Sequence, residues 1–167
     1  MPLPILLIGI GNEYRSDDSV GLTAIRALKT RVLPEDILLI ESSGDGAELI
    51  EMWSTARMVI LIDAVSSGAT PGTIYRFDAL KQPFPAQLSF RSTHAFSIAE
   101  AIELARILGQ IPPSLIVYAI EGQNFSTGVG LSSEVENAMR KVVEQVKHEV
   151  QTALHQEPNF SLKEFFT

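Results

Sequence analysis

A chain of 167 residues has the size of one domain with a full core, and 46% hydrophobic against 20% charged residues marks a globular chain rather than a disordered one. Thirteen basic residues stand against twenty acidic ones, a net charge of −7, and no stripe of Lys and Arg offers itself to a nucleic acid or an anionic membrane. The lack of cysteine excludes disulfides, thiolate zinc sites and a cysteine nucleophile together.

The first residues, MPLPILLIGIGNEYRSDD, carry no basic n-region, so the short apolar run Ile5–Gly9 reads as a strand and not as a signal peptide. No apolar stretch approaches the roughly 18 residues that span a bilayer, and a cytoplasmic protein without membrane insertion is expected. Val20, Ala24, Ile25 and Leu28 then recur at helical spacing. Asp36–Glu41 reads as a second buried strand, Ala47 to Trp53 as a short helix, and Arg57–Asp63 as a third strand. The stretch PGTIYRF, from Pro71, predicts an edge strand or hairpin. Asp78 to Arg91, with Pro83 and Pro85 around Phe84, has no clean period and reads as a surface loop.

Ile98, Ala99, Ile102, Ala105 and Leu108 form a third helical stripe, and Ser114–Ile120 a further strand. Ser133 opens the last helix, where SEVE has the form of a capping box with Glu136. Its stripe of Val135, Met139, Val142, Val143 and Val146 predicts fraying near His148. Strands alternating with helices predict a single three-layer α/β/α domain over residues 1–150, with a central, largely parallel twisted sheet. Residues 151–167 read as a C-terminal tail.

In such a sheet, functional groups gather at the carboxyl ends of the strands. The turn GIGNEYRSDD follows strand one there, but it fails as a dinucleotide fingerprint. Tyr14 stands where the third glycine belongs, and Asp17 and Asp18 would repel a pyrophosphate. Glu41, at the end of strand two, matches a ribose-binding acid only as many strand ends do. Helix capping accounts for one of the paired aspartates and leaves the other free for a cleft. Asp63 ends the apolar strand MVILID, where a carboxylate must reach water or find a partner. His94, in RSTHAF before the third helix, is the one histidine outside the C-terminal region; His148 and His155 are assigned no function.

Two carboxylates brought to about 4 Å repel by about 4 kcal/mol at an effective dielectric near 20, a conflict that a divalent cation removes. Asp18 and Asp63 with His94 would suit Zn²⁺ or Ni²⁺ and leave coordination positions open. A serine triad ranks below this, because there is no G-x-S-x-G elbow.

The blocks GIGNEYRSDDSVG, LIDAV…PGTIYRF, STHAFS and GLSSEV, in this order, resemble those of the hydrogenase maturation proteases, which trim the large subunit of nickel–iron hydrogenases. The resemblance runs from Ile5 to Val146. It implies an endopeptidase that removes a C-terminal peptide from a large-subunit precursor after nickel insertion, with Asp18, Asp63 and His94 as catalytic and metal-binding residues. Nickel would come with the precursor, so the isolated protein need hold no metal, and nickel-polarised hydrolysis with a carboxylate as base is the expected chemistry. A monomer is expected. Ser19, where many relatives have glycine, and the stretch Glu121 to Asn124 depart from the usual pattern; the second bears on which hydrogenase is recognised. The Asp78–Arg91 loop is where selectivity is expected. The alternative from another class is a non-catalytic metal-binding module using the same ligands.

Overall fold

Among the described residues five strands pair into one sheet of order β2-β1-β3-β5-β4, and four α-helices cover its two faces. The computed structural model describes residues 3–31, 33–34, 36–85, 88 and 98–156. The strands are β1 (Ile5–Ile10), β2 (Ile37–Ser42), β3 (Met58–Val65), β4 (Ile74–Asp78) and β5 (Leu115–Glu121). All pairs are parallel except β4 with β5, so the stretch at Ile74 forms an antiparallel edge strand. β1, β3 and β5 are buried along their whole length, as expected of strands covered on both faces.

Side-chain alternation along these strands feeds two cores. Leu7, Ile60, Ile62 and Tyr118 pack with α1 (Val20–Lys29) and α4 (Ser133–His155). Leu6, Ile8, Leu61 and Val117 pack with α2 (Gly46–Trp53) and α3 (Ile98–Ile107). The result is the expected three-layer α/β/α sandwich. β2 lies on one side of β1 and β3 on the other, so the chain direction across the sheet reverses between β1 and β3. A crevice opens at the carboxyl ends of two strands related in this way.

Two glycines bring α1 onto that crevice. A Cβ on Gly21 would stand 2.2 Å from the Ile62 carbonyl oxygen and 2.4 Å from that of Ile10, and one on Gly9 would meet the Gly21 carbonyl oxygen at 2.1 Å. Gly9 therefore serves close helix–strand packing inside β1. Gly11 does serve the turn, since its Cβ would lie 2.0 Å from the Asp18 carbonyl oxygen. Gly21→Ala is expected to cost about 3 kcal/mol or more through overpacking against backbone that cannot yield. Thermal melting of the variant checks this, and a melting temperature equal to the parent's would contradict it.

The last helix differs from its sequence reading at both ends. Its N-cap is Ser132, not Ser133, and the Ser132 side chain makes no cap bond to its own helix. Glu136 reaches forward to Arg140 at 3.2 Å rather than back in a capping box. At the other end the helix does not fray at His148 but runs to His155. Val150 is buried, and Glu149 accepts from the Tyr118 hydroxyl at 2.6 Å and pairs with Arg76. These contacts hold the final turns, whose own sequence is mostly polar. The rest of the expected tail, residues 157–167, lies outside the described residues. Among the described residues no helix is long and apolar enough to cross a membrane.

Candidate metal and catalytic site

Asp18 and Asp63 meet at the reversal point. Asp63 lies in β3 on the α2–α3 face, between Leu61 and Val65, and is only 3% exposed. The one hydrogen bond its carboxylate makes to a described residue comes from the Ala64 N–H at 2.8 Å, onto Oδ1. Asp18 closes the turn after β1 and is also buried; its Oδ2 accepts from the Asn12 N–H at 3.1 Å. Asn12 holds the turn as expected of an Asx residue, since its own Oδ1 accepts from the Tyr14 N–H at 2.9 Å.

Burial pushes the Asp63 carboxyl well above the usual carboxylate range, and the nearby charge of Asp18 pushes it further. Asp18 is raised too, by burial first, against the lowering pull of the Asn12 N–H and of the Arg15 charge. A buried carboxylate pair with so few donors favours a cation that relieves both desolvation and repulsion. The oxygen donors thus fit a divalent metal as two ligands of a larger set. Among the described residues no group of three or more His, Cys, Asp or Glu is placed to hold an ion. His94, the expected third ligand, lies outside the described residues.

The adjacent acid has another task. Asp17, fully buried, accepts from the Ser132 N–H at 2.7 Å, the Ser132 hydroxyl at 2.8 Å, and the Gln123 and Asn124 N–H groups at 2.9 Å each. Its own N–H donates to the Asn124 carbonyl at 2.9 Å. Asp17 therefore does serve a helix N-terminus, but that of α4 rather than of the helix it precedes. Ser16 completes the clasp in a left-handed conformation, φ 53°, which costs a non-glycine residue energy. It is held by its N–H to the Gly128 carbonyl at 3.0 Å and its hydroxyl to the Ser126 carbonyl at 2.9 Å. Ser19, whose hydroxyl donates to the Ser16 carbonyl at 2.8 Å, is accommodated in the same turn.

Two further acids are accounted for. Glu41 does not wait for a ribose: it pairs with Arg26 at 2.9 Å and Lys29 at 3.2 Å, and the Arg26 hydrogen bond leads the causes that lower its carboxyl. Glu121, buried at the end of β5, accepts from the Ser67 and Gly68 N–H groups and the Ser67 hydroxyl. The signal for Glu121 was available in the sequence, since LIVYAIE closes an apolar strand on an acid just as MVILID does. His148 lies on α4 beside Arg57 and Ser114, at the opposite end of the sheet.

Comparison with known proteins agrees with this architecture. A family model described as hydrogenase maturation protease matches residues 22–149, a span that holds Asp63 and His94 and begins after Asp18. The hydrogenase 2 maturation protease of Escherichia coli (strain K12) is 27% identical over 146 residues, covering 85% of this chain and 87% of that protein. The solution structure of an endopeptidase from Escherichia coli superposes with a TM-score of 0.77 at 27% identity, over 90% of this chain and 93% of that one. The hydrogenase maturating endopeptidase HybD from E. coli shares the fold, with a TM-score of 0.72 at 24% identity, over 90% of this chain and 93% of that one.

Proposed function

The chain belongs to the hydrogenase maturation protease family and is an endopeptidase, and from that premise we propose that it removes a C-terminal peptide from the precursor of a nickel–iron hydrogenase large subunit once nickel is in place. The observation that carries the proposal is the buried carboxylate pair Asp18 and Asp63 at the reversal point of the sheet. Among the described residues each carboxylate is held by one backbone N–H, and the Arg15 charge near Asp18 offsets only part of the effect of its burial, a state suited to a cation that arrives with the substrate.

In this reading Asp18, Asp63 and His94 face the nickel centre of the precursor, and the metal belongs to the substrate. When bound, it supplies positive charge that favours both carboxylates in their ionised form and can polarise a carbonyl oxygen. The protein's own part is to hold the two carboxylates side by side in a buried place where that charge acts on both, and to offer one of them as base toward the attacking water. The reading includes a monomer acting in the cytoplasm.

Intact-mass spectrometry of nickel-loaded and nickel-free cognate precursor, incubated with the protein, tests this directly. Loss of a C-terminal peptide from the loaded form alone is expected. Equal loss from both forms would remove nickel from the reading, and loss from neither would favour a metal-binding module that does not cut.

A further inference from the structure

Past Asp63 the chain leaves β3 and turns at Ser67 and Gly68 toward β4. Glu121 fixes that turn, accepting from the Ser67 N–H at 2.8 Å, the Ser67 hydroxyl at 2.7 Å and the Gly68 N–H at 3.1 Å. The Ser67 hydroxyl also lies 3.2 Å from that of Tyr75. Facing the turn, the rings of Tyr75 and Phe77 stack with centroids 6.2 Å apart and planes 9° apart, and Phe84 packs on Phe77 at 5.3 Å. Between the turn, these rings, Pro85 and Leu88 is a pocket of about 410 Å³ that opens to solvent. Its described walls are mainly apolar, and Glu121, behind the turn, already has three donors. Such a space selects for apolar shape and not for charge.

The register of the sheet fixes where this pocket stands. Asp63 pairs with Ala119, and Ala119 pairs with Tyr75. Asp63 and Tyr75 therefore lie in one cross-strand row on the α2–α3 face, two strand spacings or about 10 Å apart. An extended polypeptide advances about 3.3 Å per residue. A chain whose reacting bond lies at Asp63 and which runs across the row reaches the pocket two or three residues away.

We propose that this pocket is a specificity subsite for one apolar side chain, of leucine or phenylalanine size, carried by the precursor two or three residues from the cleaved bond. The proposal rests on the reading of Asp18 and Asp63 as the place of cleavage. It also gives the loop that starts at Asp78 its part in selectivity, through Pro85 and Leu88.

The test measures kcat/KM on nickel-loaded cognate precursors in which each of the three residues on either side of the cleaved bond is changed in turn to alanine. Three proteins are compared: the parent, Ala69→Phe, which fills the pocket from the turn, and Leu88→Ala, which enlarges it. For the parent, one position two or three residues from the bond is expected to lose on the order of 10-fold or more when truncated. Ala69→Phe should erase that preference, and Leu88→Ala should move it toward a bulkier residue. A general loss of folding would lower every substrate in parallel and leave the ratio between substrates alone. Ratios unchanged in both variants, or no position of preference in the parent, overturn the subsite while parental cleavage keeps the protease reading. No cleavage by the parent overturns both.

Discussion

Replacing Asp63 by asparagine is expected to abolish processing and, in the same protein, to raise the melting temperature near neutral pH. The first effect follows from removing a charge that the incoming metal needs, and processing should fall below about a hundredth of the parental rate. The second follows from burial. The Asp63 carboxyl is raised well above its unfolded value, by desolvation first and then by the Asp18 charge. A group raised in the folded state contributes stability that is complete below the unfolded pKa, about 3.9, and is lost as pH climbs through the folded value. The parent should therefore weaken as pH rises from that unfolded value toward the raised folded one, at up to about 1.4 kcal/mol per pH unit while the folded state keeps the proton that the unfolded state has lost.

Asparagine keeps the acceptor for the Ala64 N–H and has no charge to desolvate. Each kcal/mol recovered near neutral pH raises the melting temperature by about 2–4 °C in a chain of this size. Thermal melts at pH 5 and pH 8 decide the matter. A flat profile in the parent, unchanged in Asp63→Asn, would show that the pair is already satisfied in the free protein. Stability and function thus pull apart at this residue, as expected where a site is built for a transition rather than for rest.

The sequence carried the elements well because β1, β3 and β5 are apolar on both faces and α1 and α4 keep a helical stripe. It carried Asp63 for the same reason, as a charge at the end of an apolar run. What it could not carry are arrangements made by distant chain. The antiparallel course of β4 depends on its pairing with β5. The full length of α4 depends on Glu149 meeting Tyr118 and Arg76. The role of Gly9 depends on α1 lying directly over it. The division of labour between Asp17 and Asp18 is of this kind too: adjacent in sequence, they differ only in what stands opposite them, and the partners of Asp17 come from 106 to 115 residues away.

That division makes opposite predictions for neighbouring positions. Asp17→Ala removes the acceptor of four hydrogen bonds and strands three backbone N–H groups in the loop before α4 and at its N-cap. Bonds to a charged acceptor contribute about 1.5–3 kcal/mol each and overlap when shared, so a loss on the order of 3–5 kcal/mol is expected. Processing should fall with it, because the turn that carries Asp18 is pinned through the same clasp. Asp18→Asn should also stop processing, yet melt at or above the parental temperature, since the carboxyl it replaces is raised by burial. Melting curves for the two variants, read beside their processing, separate a carboxylate that holds the fold from one that the fold holds ready. Two variants that melted alike would mean that the clasp does not divide the pair. A stable Asp17→Ala that still processed would show that the clasp fixes neither the loop nor the turn bearing Asp18.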